Sequence, residues 1–265
     1  MHRLAVLVIC GVTATLTAQL PLRFDVASVK PTDGTSRSSA LFDPQPSGFS
    51  ASNVPLARLI EYAYGLHPHQ IVGGPEWIYN ERFSVTAKYP VGWSLDRAGG
   101  RGEALQMLQM LLADRFSLRV HNETREGTVY TLVMSREDRR LGPRLREVPE
   151  PCAPVSSREA KEKGLLPCQL LQARRSLEVN GQPLSYIASR LSAIIGSPVV
   201  DRTRLAGVYD AQVEWTPEEE AGNAAITNQV SIFTAIQDQL GLKLERERGP
   251  VDLLVIDSVE RPTPD

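Results

Sequence analysis

Histidines, cysteines and paired carboxylates are the side chains that hold metals, attack bonds or carry protons, and here they are thinly spread. His67 and His69 flank Pro68, a spacing that offers a metal two ligands. A zinc site needs three or four. No cysteine or carboxylate stands close beside the pair in sequence, so loop histidines at the surface are expected, and no metal. His121 stands by itself. The chain has no His-Glu-x-x-His helix, no Gly-x-Ser-x-Gly turn and no phosphate-binding glycine–lysine loop. The signatures of zinc peptidases, α/β-hydrolases and P-loop proteins are thus missing. Gly73-Gly74-Pro75 and Gly99-Gly100 read as turns. No cofactor is expected.

The remaining polar candidates are Asp201-Arg202-Thr203, Tyr209-Asp210, Asp257 and Glu260. Asp201, Arg202, Tyr209 and Asp210 could form a charged groove that receives a peptide or glycan. In the alternative, Asp201 and Arg202 organise a turn between strands and Asp257 caps a strand end, common work for aspartate. Asp201 and Asp210 together would be the carboxylate pair of a hydrolase if they converged in one cleft. Trp77, Trp93 and Trp215 could line a pocket, although Trp215 alternates with Val213 and fits a core strand.

Residues 1–18 read as a signal peptide. Met1-His2-Arg3 is cationic, Leu4 to Leu16 is mostly apolar, and Ala18-Gln19 is a cleavage point. No later segment is long and apolar enough to span a membrane, so the expected location is periplasmic or extracellular. Cleavage would remove Cys10 and leave Cys152 and Cys168 in an oxidising compartment. A disulfide between them is the expected state. A metal pair or free thiols are the alternatives.

The net charge of −2, with both signs interspersed, argues against nucleic acid as a partner. Arg136, Arg139, Arg140, Arg144 and Arg146 are interrupted by Glu137, Asp138 and Gly142-Pro143, and read as a solvated loop.

A repeat organises these residues. Pro55-Leu56 through Ala87 matches Pro183-Leu184 through Trp215 at a constant offset of 128. Both segments open with Pro-Leu and continue with apolar residues at helical spacing. Leu108, Leu112 and Phe116 then match Ile232, Ile236 and Leu240 at an offset of 124. Leu118-Arg119-Val120 follows in one copy and Leu242-Lys243-Leu244 in the other. After a polar turn come two β-branched runs, Val129 to Met134 and Val251 to Ile256. Ser231 suits a helix start and Gly241 a helix end. The expected fold class is α+β: a tandem duplication of a small βαββαββ module, with helices packed on antiparallel or mixed sheets. Residues 24–140 form the first half and 177–262 the second. Residues 141–176, polar and holding both cysteines, read as a linker or insert. Thr32–Ser47 and Glu218–Asn228 read as loops, the first partly disordered.

Phe24-Asp25-Val26-Ala27-Ser28-Val29-Lys30-Pro31, Pro198-Val199-Val200-Asp201-Arg202-Thr203, Val208-Tyr209-Asp210, Gln239 to Leu244 and Val255 to Pro262 carry a resemblance. They resemble a family of uncharacterised secreted proteins, abundant in soil bacteria and carrying a domain of unknown function. Some copies are fused to sensors like the β-lactam-responsive membrane metallopeptidases. Arg204 departs from the glycine usual there, which implies a different local turn. The two-cysteine insert also resembles the family's. In element order alone, the repeat is similar to small signalling domains at the N-termini of secretins and TonB-dependent transporters, which implies protein contacts in the envelope. The expected function is a non-catalytic ligand- or protein-binding module of the cell envelope, with an envelope protein or a cell-wall-derived compound as partner. The alternatives are a hydrolase with an unrecognised carboxylate site and a sensor domain for cell-wall-derived compounds.

Overall fold

The computed structural model describes residues 22–32, 40–45, 47–95, 98–153, 162, 168, 170–217 and 230–262. The expected leader at 1–18, residues 33–39 of the first loop and the acidic 218–228 stretch lie outside the described residues.

Pro55 and Pro183 stand in extended conformation immediately before the two matching helices, Leu56–Tyr64 (α1) and Leu184–Ile195. A proline there forfeits no helical hydrogen bond, because the first N–H groups of a helix have no partner inside it. Gly65 and Gly196, at φ 65° and 71°, end both helices in the left-handed conformation that glycine adopts without strain.

Around α1 the first copy runs β1 (Val26–Pro31), β2 (Ala40–Gln45), β3 (Gly48–Pro55), α1, β4 (Ile71–Gly73), α2 (Trp77–Asn80), β5 (Arg82–Lys88), α3 (Gly100–Phe116) and β6 (Arg119–Met134). The second runs β7 (Leu145–Val148), β8 (Leu170–Ala173), β9 (Ser176–Gln182), α4 (Leu184–Ile195), β10 (Val199–Asp201), β11 (Val208–Glu214), α5 (Ile232–Ala235, continued by a π turn to Leu240) and β12 (Leu242–Ser258). The α+β class is as expected, and the topology carries the duplication. One antiparallel sheet has the order β1-β5-β3-β2 and another β7-β11-β9-β8, the same order six strands later.

The third sheet, β10-β6-β12-β4, joins the copies. Here the structure differs from the expectation of two strands and a polar turn at the end of each copy. β6 is one strand of 16 residues and β12 one of 17, paired antiparallel along their whole lengths. The polar middle is polar because it is a two-stranded ribbon wetted on both faces. Thr124 donates to Asp252 Oδ1 at 2.7 Å and Arg246 to Thr128 Oγ1 at 3.2 Å across it. Gly127 lies opposite Gly249 at its centre. A side chain on Gly127 would come within 2.9 Å of Val251.

Each end of the ribbon enters a different core. The first core, built from β1 to α3, is completed by Leu254 and Ile256 of β12. The second, built from β7 to α5, is completed by Leu132 of β6. β4 of the first copy pairs parallel with β12, and β10 of the second with β6. Each copy thus supplies a strand to the other's hydrophobic core.

Residues 141–176, read as a linker, contribute β7 and β8, the two edges of the second copy's own sheet. Their polarity reflects edge positions, with Leu145 the buried residue of β7 and all of β8 exposed. Residues 40–45, expected to be loop, form the edge strand β2. Cys152 and Cys168 form the expected disulfide. In the chain-entropy account, closing a loop of about 15 residues stabilises by roughly 3 kcal/mol.

Leu132→Ala is expected to cost about 2–5 kcal/mol in urea unfolding, as for any fully buried leucine, although Leu132 lies in the first copy and its contacts in the second core. Leu254→Ala tests the reciprocal contact. Losses below about 0.5 kcal/mol, the scale of a neutral surface substitution, would contradict the exchanged strands.

Candidate functional site

A cleft of about 560 Å³ lies where α1 and α3 of the first copy face α4 and β8 of the second. Gly65 turns the chain out of α1 into Leu66-His67-Pro68. The following turn is fixed when the His67 N–H donates to Gln70 Oε1 at 3.1 Å. Gln70 Nε2 in turn donates to the Asp252 carbonyl at 3.0 Å, tying the loop to the ribbon. Arg58 and Glu61 come from α1, Arg101 from the start of α3, Ser189 and Arg190 from α4, and Gln172 from β8.

Positive charge dominates this cleft. Its three guanidinium groups face a single carboxylate, Glu61, which is paired with Arg58 and only 6% exposed. Burial raises the Glu61 pKa, against the lowering influence of Arg58. Arg190 lies over the Tyr186 ring at 5.4 Å. Its Nε is buried without a hydrogen-bond partner among the described residues. His67 Nε2 is 3.3 Å from Ser189 Oγ, and its ring stacks on His69 at 5.7 Å between centroids. The pKa of each histidine is lowered, first by burial, then by Arg190 for His67 and by His67 for His69. These are partly buried imidazoles that resist protonation, where free surface histidines were expected.

Apart from His67, the residues singled out by sequence fall elsewhere and do not converge in one cleft. Asp201 and Arg202 border a second cleft, of about 680 Å³, with Arg139, Thr203 and Arg204. Asp201 Oδ1 accepts hydrogen bonds from the Thr203 N–H at 2.9 Å and the Thr203 hydroxyl at 2.7 Å, the geometry of an aspartate-stabilised turn. Arg204 holds a φ of 56°. This is the left-handed conformation that a glycine takes freely. Tyr209 is only 2% exposed, and its hydroxyl donates to the Ala206 carbonyl at 2.8 Å, so it belongs to the core. Asp210 accepts from Arg146 at 2.7 Å and from the Gly181 N–H at 2.9 Å, in a different sheet from Asp201. Asp201 and Asp210 border two different clefts. Asp257 sits at a β-bulge, with its carboxylate 2.9 Å from His121 Nδ1. Trp215 packs against the second core.

Sequence reasoning missed Arg58, Glu61, Arg101, Ser189 and Arg190. The repeat held the signal. At the offset of 128, Arg58, Glu61 and Tyr62 correspond to Tyr186, Ser189 and Arg190. Of these, Arg58, Glu61, Tyr62, Ser189 and Arg190 border the one cleft, and Tyr186 lies beneath Arg190.

Fold and cleft define a duplicated α+β protein with two cores and a cationic recess between them. The chain belongs to a family of proteins of unknown function, DUF3738, whose profile matches residues 57–259, from the start of α1 to just beyond β12. Comparison with curated proteins and with solved structures gives no match.

His67 and His69 titrate below their ordinary 6.5 when folded, so the unfolded chain binds more protons as pH falls beneath that value. Their contribution to stability is present above about pH 6.5 and is lost as pH falls through the folded values. The raised Glu61 acts oppositely, favouring the folded state at low pH. Unfolding by urea at about pH 7.5 and 5.5 should show a smaller acid-induced loss in a His67→Gln, His69→Gln variant than in the parent. Equal losses would contradict the assignment.

Proposed function

We propose that this chain is a non-catalytic binding module of the cell envelope, exported to the periplasm or beyond, that takes an anionic ligand in the cleft between its copies. The observation that carries this reading is the charge imbalance there: three guanidinium groups against one carboxylate already engaged by Arg58. The volume is that of ordinary ligand sites, and arginine binds carboxylates and phosphates through paired hydrogen bonds. The leader-like residues 1–18 and the disulfide support an oxidising compartment. The fused sensors of the resembled family favour a cell-wall-derived ligand, an envelope protein being the other candidate.

The contact between Ser189 Oγ and His67 Nε2 supports a second reading, hydrolysis through a serine nucleophile. Such a site needs a third group to orient the base and donors aimed at the developing oxyanion. Ser189 lies in the middle of α4, where backbone N–H groups are engaged in the helix itself. Binding is therefore the better supported reading.

A thermal-unfolding screen with muropeptides, β-lactams and simple dicarboxylates tests it. A ligand at a hundred times its Kd adds about 2.7 kcal/mol to stability, which for a chain of this size raises Tm by roughly 5–11 °C. That shift should shrink in Arg101→Ala. No shift with any anion, or covalent labelling of Ser189 by a fluorophosphonate, would overturn the proposal.

A further inference from the structure

The cleft is walled on one side by the edge of a sheet. β8 is the last strand of the order β7-β11-β9-β8, and among the described residues no strand pairs with its outer edge. All four of its residues are exposed, including the apolar Leu170 and Leu171. An edge strand presents a row of free N–H and C=O groups that a further chain can satisfy.

The register fixes which way an added strand would look. Leu170 pairs with Val179 and Gln172 with Leu177, both of which point into the second core. Directly opposed residues in a sheet share a face. Leu170 and Gln172 therefore look toward the α4 side, and Gln172 lines the cationic cleft together with Ser189 and Arg190 of α4. A strand laid beside β8 would place every second side chain on this same face. Across the cleft stands Arg101.

We infer that the ligand is an extended peptide, acidic at alternate positions, that adds to the β8 edge and sets its carboxylates among Arg101, Arg190 and Arg58. This rests on the cleft being the binding site and goes further, naming the occupant and its mode. Main-chain pairing supplies affinity in such complexes, and the alternate side-chain sites supply selection.

The full chain should be titrated with an N-acetylated hexapeptide alternating Val and Glu, and amide hydrogen exchange of residues 170–173 followed. Binding with slowed exchange in β8 is expected. The Val–Gln peptide should bind at least about tenfold more weakly, since charge-assisted bonds are lost. A peptide N-methylated on alternate amides should weaken similarly. Arg101→Ala and Arg190→Ala should each reduce affinity several-fold. Equal binding of the N-methylated peptide, or unchanged exchange in β8, overturns the strand-addition mode while leaving the cleft as the site. Citrate binding as tightly as the peptide, with the same arginine dependence, overturns the peptide as occupant. If neither peptide nor citrate responds to the arginine substitutions, the cleft reading itself fails along with this one.

Discussion

Two long strands, β6 and β12, have to bury apolar ends in two different places while their middles pair in water. Leu118 and Val120 face the first core and Leu132 the second, with a polar stretch between. A single strand cannot fold back to satisfy both ends within one small core. The antiparallel partner solves this by mirroring the requirement: Leu242 enters the second core and Leu254 the first. Burial of a leucine is worth about 1.5–3 kcal/mol relative to exposure, and modules near 100 residues have little to spare. The exchange of strand ends therefore sets much of the rest of the structure. It fixes the copies in an approximately two-fold relation and orders the outer strands β4 and β10 against their hosts.

That relation also makes the cleft. α1 and α4 are the same helix of the repeat, and their polar positions meet at one recess. Arg58 and Glu61 neutralise each other within α1, leaving Arg101 and Arg190 as the excess charge. Arg190 is held over Tyr186, and its Nε lacks a partner among the described residues. A buried donor without an acceptor is costly. Burial disfavours protonation of His67 and His69, and Arg190 disfavours it further at His67, so both rings gain a proton less readily than free imidazole beside these arginines.

What was legible in the sequence was local or periodic. The Pro-Leu openings, the glycine stops, Ser231 as a helix cap accepting from the Thr234 N–H, and the paired apolar spacings all report on interactions within a few residues. The duplication was legible because both copies face the same burial problem. The ribbon was not, since a polar run between apolar runs has the same composition whether it turns or continues exposed on both sides. β7 and β8 were hidden for a related reason: edge strands carry little of the alternation that marks a half-buried strand. The cleft was hidden because its residues approach one another only through the two-fold arrangement, and each resembles ordinary surface on its own helix. Asp201 and Tyr209 drew notice for their chemistry, yet one stabilises a turn and the other closes a local contact in the core.

The central claim is that neither copy completes its core without the other's strand. The most direct measurement is the folding of residues 22–140 expressed separately, followed by amide NMR and by chemical denaturation. The account predicts a collapsed chain with poor dispersion and no cooperative transition, and recovery of native signals when residues 141–262 are mixed in at equal concentration. A well-dispersed spectrum and cooperative unfolding of 22–140 by itself would contradict it.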